Sequence, residues 1–267
     1  MEKDGIRRIV RDGYARRAAQ GGACDPCGGR SISEIVGYSA EELGSVPGGA
    51  DMGLGCGNPV AIASVKEGET VIDLGCGGGL DCFLAANKTG KTGRVIGIDM
   101  TPEMIEKARE NATKGNYTNV EFRLGEIENL PVADNSGDLV ISNCVINLSP
   151  DKPRVFREVF RILKPGGRIM ISDLVLTRDL PEFLKDSVDA YISCLAGAVK
   201  KDEYTGVIRR AGFREVEIID ERAFTLDCHT DDPIAKALIE NTGISPRQLE
   251  EVAGAIASIK VRGVKAA

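Results

Sequence analysis

The sequence predicts an α/β protein built on a doubly wound, mainly parallel sheet. Strand-like and helix-like segments alternate from residue 69 onward, as expected for right-handed β-α-β crossovers. A glycine-rich loop, DLGCGGGLD at residues 73–81, follows the first strand and precedes the first helix, which is the context of a nucleotide-binding loop. An acidic residue, Asp99, ends the second strand. Together these observations indicate a Rossmann-like sheet that binds an adenosine-containing ligand at its carboxyl edge.

Local patterns predict the individual elements. Apolar runs predict the core strands in ETVIDLGC, RVIGIDM, NVEFRLG, DLVISNC and GGRIMISDLVL. Helices are predicted in LDCFLAANK, TPEMIEKARENATK and PRVFREVFRILK; the second begins with Thr101 as its cap and Pro102 in its first turn. Residues 179–211 predict further helix, with a break near residues 196–201. FREVEIIDERAFTLDC predicts strand, turn and strand, and IASIKVRGVKA a last strand, so these strands would form an antiparallel edge of the sheet.

We expect three regions along the chain. Residues 1–60 form an N-terminal extension with cysteine-bearing loops, residues 61–220 form the core, and residues 221–267 form a C-terminal segment of strands and helix packed on the core. The extension begins with an amphipathic segment, IRRIVRDGYARRAA, whose arginines we expect on a solvated helix face. Its glycine-rich part, residues 21–60, is predicted to lie over the crevice of the sheet.

Composition excludes several classes of protein. The 267 residues are 42% hydrophobic and 28% charged, which is typical of a globular protein, and the net charge of -6 argues against a nucleic-acid partner. No apolar run approaches the roughly 20 residues that a membrane span needs, and no secretory pattern precedes a cleavage site. We therefore expect a cytoplasmic protein with reduced thiols and no membrane partner.

Eight cysteines are too few for a disulfide scaffold in a chain of this length. Their positions beside glycines and at the ends of elements suggest metal or metalloid binding, redox chemistry or nucleophilic catalysis, although a buried structural thiol remains the alternative for each one. Cys144 lies where the fourth strand gives way to its loop, a place that faces the ligand crevice in an open α/β sheet. Cys56, in GLGCGNP, and Cys194, in AYISCLAGAV, come from two other loops. Three such thiols would select one soft, thiophilic centre.

The motifs of the core resemble those of class I S-adenosylmethionine-dependent methyltransferases. The resemblance rests on Asp73-x-Gly75-x-Gly77-x-Gly79, on Asp99, on GEIENLP at residues 125–131 and on LKPGG at residues 163–167. It implies S-adenosylmethionine as methyl donor, and we expect no metal cofactor. The implied donor-binding residues are Asp73, Gly75, Cys76 and Gly77 near the methionine part, Asp99 at the ribose, Met100, Glu126 and the Ile127 N–H at the adenine, and Asn143 at the methyl end. Glu126 stands where this family usually has Asp.

A closer resemblance comes from the cysteine motifs. LGCGNP, ISNCVINLSPDK and SCLAGA, in that order around the core, resemble arsenite S-adenosylmethionine methyltransferases over about residues 10–220. The resemblance implies that Cys56, Cys144 and Cys194 bind arsenic as substrate, taken up as arsenite or its thiol conjugates. It also implies an upstream cysteine that forms a redox pair with Cys56, and the CDPC motif offers both Cys24 and Cys27 for that role.

The implied reaction suits these residues. Thiolate-bound As(III) keeps a lone pair and has no proton to lose, so it can attack the sulfonium methyl group in line without a general base, and the protein contributes proximity and orientation. Methylation formally takes arsenic to As(V), and a thiol pair going to disulfide returns it to As(III). A reductant such as thioredoxin or glutathione would then reset the enzyme.

Other interpretations remain open on the sequence. Cys76 fits a structural place in the glycine loop, Cys82 a place in the core, and Cys228 beside His229 either a metal site or no role. The CxxC at residues 24–27 would be half of a zinc site, but a second close pair is missing. The runner-up function is a C- or O-methyltransferase of a small apolar acceptor. A metalloid-binding module without turnover is a third, against which the donor loop argues.

Overall fold

The structure is a computed structural model and describes residues 2–20, 32–180, 191, 197–223 and 251–267. In the described part of the chain, seven strands form one sheet in the order β3-β2-β1-β4-β5-β7-β6. The strands are β1 (Thr70–Leu74), β2 (Arg94–Asp99), β3 (Val120–Leu124), β4 (Gly137–Asn143), β5 (Leu163–Leu176), β6 (Phe213–Ala223) and β7 (Ile256–Lys265). The predicted α/β class is confirmed.

Helices cover both faces of the sheet. They are α1 (Lys3–Gln20), α2 (Ile32–Ile35), α3 (Ala40–Gly44), α4 (Pro59–Ile62), α5 (Leu80–Thr89), α6 (Pro102–Lys114), a 3-10 turn (Ile146–Leu148), α7 (Lys152–Ile162) and α8 (Lys201–Arg210). The apolar stripe of α7, which includes Val155, Phe156 and Val159, is fully buried against one face. Helix α5 is buried against the other face through Cys82, Phe83 and neighbouring residues. These two layers make the fold doubly wound.

The site follows from the strand order. β1 pairs in parallel with both β2 and β4, so the chain crosses from one side of β1 to the other between these strands. A ligand crevice forms at this switch point, outside the carboxyl ends of the strands. The far edge is antiparallel, because β7 pairs antiparallel with β5 and with β6. That edge was predicted.

The edge strands differ from the prediction in detail. β6 continues through the expected turn as far as Ala223, because Asp220 to Ala223 pair with β7 and two register shifts absorb the irregularity. Residues 224–228, where the second strand was predicted, lie outside the described residues. Likewise β5 begins at Leu163, upstream of the predicted start, because Leu163 pairs with Gly137. Pairing with a neighbouring strand thus outweighs the local turn signal.

Helix α1 packs on the core instead of lying wholly in solvent. Val10 is fully buried in a cluster with Leu148 and Leu174, and Tyr14 packs against the same cluster. The interpretation of the arginines as one solvated face is wrong for Arg7, whose side chain is 18% exposed, because it turns toward Glu126 and Glu128. Among the helices that the structure describes, none combines the length and apolar character of a membrane span.

Candidate active site

A cavity of about 1050 Å³, counting its open mouth, lies at the carboxyl ends of β1, β2 and β4. The loops after β1, β2, β3 and β4 line it, together with the segment before α4 and one face of α1. Its lining includes Arg7, Val10, Tyr14, Tyr38, residues 50–55, Asp73, Gly75 to Gly78, Asp81, Asp99 to Thr101, Ile127, Glu128 and Asn143 to Val145.

The glycine loop needs its glycines for two physical reasons. Gly75 and Gly77 have φ values of 68° and 50°, in the left-handed region that other residues avoid. A Cβ at Gly75 would also overlap the side chain of Val145, the residue after Cys144. The glycine loop is therefore in direct contact with the loop that begins at Cys144 after β4, the Cys144 loop.

Asp99 lies at the end of β2 as predicted. Its Oδ2 accepts the N–H of Gly77 at 3.0 Å, and its Oδ1 accepts the N–H of Thr101 at 2.9 Å. These bonds fix the carboxylate at the cavity wall, where it can receive hydroxyl donors from a ribose. Burial raises the pKa of Asp99, and the backbone N–H groups oppose that rise.

Five carboxylates line this cavity, and three of them, Asp73, Asp81 and Asp99, have shifted pKa values. Burial raises the pKa of each, to about 6 for Asp81, and the Asp81 charge raises the pKa of Asp73 further. Carboxylates that are buried close together repel one another, and a positive charge nearby stabilises their ionised forms. The cavity is therefore suited to a cationic ligand, and perturbed groups of this kind in a cleft are typical of functional sites.

Of the three residues predicted to contact the adenine, two line the cavity, and their contact with adenine stays a prediction. Met100 and Ile127 line the cavity. The side chain of Glu126 is 47% exposed, lies outside the lining and faces the Arg7 guanidinium at 3.5 Å. Glu128 lines the cavity instead, where its Oε1 accepts the hydroxyl of Ser149 at 2.7 Å. Arg7 lies between the two carboxylates, since its Nε is 3.4 Å from Glu128 Oε1.

Two of the predicted arsenic-binding cysteines come together at the edge of the cavity. A disulfide joins Cys56 to Cys144, with 5.8 Å between their Cα atoms. Cys144 follows β4 with φ at 58°, and its N–H donates to Ser172 O on β5 at 2.8 Å. The carbonyl of Cys56 accepts the hydroxyl of Ser258 on β7 at 3.1 Å. Two neighbouring strands thus hold the pair in place.

The remaining cysteines divide into buried and undescribed ones. Cys76 and Cys82 are buried free thiols, and burial raises the pKa of Cys76 to about 11, so it stays protonated at neutral pH. Cys82 lies in the core as predicted and donates to Asp73 Oδ2 at 3.2 Å. Cys24, Cys27 and Cys194 lie outside the described residues, and their roles stay predictions. Cys228 and His229 also lie outside them, so the choice between a metal site and no role stays open. Within the described ranges there is no cluster of three or more metal-ligating side chains.

Sequence patterns did not identify Tyr38 and Asp81 as residues of the site. Tyr38 donates its hydroxyl to Asp81 Oδ1 at 2.8 Å, and both side chains are buried in the cavity wall. Asn143 Nδ2 lies 2.9 Å from the Tyr38 oxygen. Tyr38 lies in an irregular stretch before α3, so neither periodicity nor a motif predicts its contact with a residue 43 positions away.

The chain is similar to known methyltransferases in sequence and in structure. The family described as "Methyltransferase domain" matches residues 65–212. An arsenite methyltransferase of Halobacterium salinarum is 50% identical over 84% of this chain and 58% of its own length. One of Aquipseudomonas alcaligenes is 38% identical over 69% of this chain and 54% of its own. The chain thus spans little more than half the length of these curated relatives.

A solved structure gives the same result. The crystal structure of an arsenic(III) S-adenosylmethionine methyltransferase from Chlamydomonas reinhardtii superposes with a TM-score of 0.64 at 33% identity. The match covers 88% of this chain and 74% of that one. The chain therefore belongs to the methyltransferase domain family and, within it, to the arsenite S-adenosylmethionine methyltransferases.

Proposed function

We propose that this protein transfers the methyl group of S-adenosylmethionine to trivalent arsenic held by its own cysteine thiols, and so serves arsenic detoxification. The observation that carries the proposal is the position of Cys56 and Cys144. Their sulfur atoms meet, from loops 88 residues apart, next to a cavity with the glycine loop and acidic residue of a methyl-donor site. A carbon or oxygen acceptor would have no use for this pair.

Arsenic binds to thiolates because both are soft. In the proposed site Cys56 and Cys144, once reduced, supply two sulfur ligands, and Cys194 supplies the third. The Cys144 loop contacts the glycine loop through Val145, which brings the metalloid close to the donor's methyl group. Inorganic arsenite uses all three thiols, and a methylated arsenical uses two.

S-adenosylmethionine fits the charge and shape of the cavity. Its sulfonium and ammonium groups together outweigh its carboxylate, so it brings a net positive charge to a cavity lined by Asp73, Asp81 and Asp99. Asp99 holds the ribose, the backbone of Gly75 to Gly77 approaches the methionine part, and Met100 and Ile127 contact the adenine. Glu126 reaches the adenine amino group only if it leaves Arg7.

The proposed chemistry balances in two steps. The arsenic lone pair forms the As–C bond while the S–C bond of the donor breaks, with S-adenosylhomocysteine leaving and arsenic formally at As(V). Two protein thiolates then give up two electrons as a disulfide, which returns arsenic to As(III). Exchange with Cys24 or Cys27 at the Cys56 sulfur would free the Cys144 thiolate for the next cycle.

The enzyme needs an external reductant after each disulfide step. A dithiol or glutathione attacks the disulfide through a mixed disulfide and restores the free thiols. We propose thioredoxin or glutathione for this role, in a reducing compartment such as the cytoplasm.

The test is a titration of the reduced protein with arsenite in the presence of S-adenosylmethionine and glutathione. One S-adenosylhomocysteine is expected for each methyl group that reaches arsenic, with Cys144→Ser as the inactive control. Arsenite binding without methyl transfer would support the metalloid-binding module instead. Neither binding nor transfer would support a methyltransferase of carbon or oxygen, and either result overturns the proposal.

A further inference from the structure

Asn143 lies between the donor cavity and the loop that carries Cys56. Its side chain lines the cavity, but its amide forms hydrogen bonds with the loop. Oδ1 accepts the backbone N–H of Cys56 at 3.0 Å, and Nδ2 donates to the carbonyl of Gly57 at 2.6 Å. The amide is therefore hydrogen-bonded to the backbone of Cys56 and to that of the next residue, Gly57.

Tyr38 and Asp81 fix the direction in which this amide points. Nδ2 lies 2.9 Å from the hydroxyl oxygen of Tyr38 and 3.3 Å from Asp81 Oδ2. The Tyr38 hydroxyl donates to Asp81, so its oxygen accepts from Asn143. A carboxylate can only accept hydrogen bonds. A flipped amide would therefore place its oxygen next to an Asp81 oxygen, with repulsion between the two, and would lose the hydrogen bond from the Cys56 N–H. Oδ1 must then face Cys56.

The loop packs tightly on this amide. A Cβ at Gly55 would lie 2.6 Å from Asn143 Nδ2, and one at Gly57 would overlap Ser172 Oγ, so the glycines on either side of Cys56 permit the close approach. Cys144 is the next residue in the chain after Asn143. One side chain therefore fixes the Cys56 loop relative to the start of the Cys144 loop.

We propose that Asn143, oriented by Tyr38 and Asp81, is a positioning residue that sets the separation of the Cys56 and Cys144 thiols. The family resemblance implied that Asn143 lies at the methyl end of the donor, and that placement stays a prediction beside this role. The consequence for arsenic binding rests on the proposed function. The consequence for the thiol–disulfide equilibrium of Cys56 and Cys144 does not depend on it. A held loop raises the effective concentration of one thiol at the other and so favours the disulfide.

The test measures the equilibrium between the Cys56–Cys144 disulfide and glutathione in the full chain, without arsenic or donor. Two protein thiols are oxidised while one glutathione disulfide is reduced to two glutathione molecules. Differential alkylation and peptide mass spectrometry give the oxidised fraction. Asn143→Ala should lower the equilibrium constant about tenfold, equivalent to about 30 mV for two electrons. Tyr38→Phe should lower it about threefold, as expected for one lost hydrogen bond.

Tyr117→Phe is the matched control, because its hydroxyl bonds Asn87 and Ser45 and lies outside the cavity lining. It should leave the constant unchanged.

Equilibrium constants of both variants equal to that of Tyr117→Phe would overturn the inference. If Asn143→Ala does not fold by circular dichroism, Tyr38→Phe alone decides. A protein that shows the shift but never methylates arsenic would refute the proposed function and leave this inference standing.

Discussion

Cys56 and Cys144 are joined by a disulfide although they lie 88 residues apart in the chain. The side-chain Oδ1 of Asn143, next to Cys144, accepts the backbone N–H of Cys56 at 3.0 Å, so a side-chain hydrogen bond also joins the two loops. The same two sulfur atoms are the proposed ligands of arsenic. The disulfide is thus the oxidised state of the proposed arsenic site, and its reduction must precede metalloid binding.

Replacement of Cys144 or Cys194 by Ser is expected to abolish arsenic methylation. Each change removes a sulfur ligand that both arsenite and methylated arsenicals need, and a serine hydroxyl is a poor ligand for a soft centre. S-adenosylmethionine should still bind, because the glycine loop and Asp99 are unchanged. Product analysis by chromatography measures the loss of methylation, and calorimetry measures the retained donor binding. Full activity in either variant would contradict the assignment of these cysteines as arsenic ligands.

Cys56→Ser is expected to separate the two methylation steps. Inorganic arsenite needs three thiols and should no longer be methylated, whereas methylarsenite needs two and should still accept a methyl group. The assay compares both substrates with the same enzyme and reductant. Equal loss or equal retention of the two activities would show that Cys56 has no separate role in the first step.

Asp99→Ala is expected to weaken S-adenosylmethionine binding about 10- to 100-fold, the range for a lost hydrogen bond to a charged group. The carboxylate also accepts the Gly77 N–H, so the glycine loop loses an anchor. Asp134→Ala is the control, because Asp134 is 68% exposed and pairs with Arg161 outside the cavity lining. Calorimetry measures both, and equal affinity in the two variants would contradict the ribose assignment.

Local sequence patterns predicted the parts of the fold that local chemistry determines. The core strands, the helices after the glycine loop and after Asp99, and the antiparallel edge all occur where apolar runs and caps indicated them. The glycine loop and Asp99 were identified because their residue types have few alternatives at those backbone positions. The Cys56–Cys144 proximity was predicted from a family resemblance and not from spacing.

Contacts between distant segments were missed because no local pattern encodes them. The burial of Arg7 depends on Glu126 and Glu128, which follow β3. Tyr38 is hydrogen-bonded to Asp81, at the start of α5 and 43 positions away in the chain. The start of β5 at Leu163 depends on pairing with Gly137, which overrides the Pro-Gly-Gly signal that follows.

Gly57→Ala is expected to reduce arsenite methylation at least about tenfold, because loop displacement of about 1 Å can cost 100-fold in rate. The new Cβ would overlap Ser172 Oγ and push the Cys56 loop outward. Ser172→Ala should restore activity to this variant, since Ser172 Oγ is buried and has no hydrogen-bond partner among the described residues, so little is lost with it.

Gly48→Ala is the matched control for Gly57→Ala, because its Cβ would meet nothing within 4 Å. It should keep full activity. Failure of Ser172→Ala to restore the Gly57→Ala variant would show that the clash does not cause the defect.

S-adenosylmethionine affinity is expected to fall as the pH drops from 7 to 5, while S-adenosylhomocysteine affinity changes much less. Burial raises the pKa of Asp81 to about 6, and the Tyr38 and Asn143 hydrogen bonds oppose that rise. Above this pH the carboxylate is ionised and attracts the donor's net positive charge. Below this pH the carboxyl is neutral and the attraction is lost. The affinity for S-adenosylmethionine then falls by at most about tenfold per pH unit for one titrating group. S-adenosylhomocysteine lacks the sulfonium and has no net charge to attract.

The measurement is calorimetry of both ligands at pH 5, 6 and 7 with the wild type and Asp81→Asn. The variant should show a flatter pH profile for S-adenosylmethionine, because the group that titrates near 6 is gone. Asp73 and Asp99 also have raised pKa values and keep part of the dependence. Parallel pH profiles for the two ligands in the wild type would show that the buried carboxylates do not recognise the sulfonium charge.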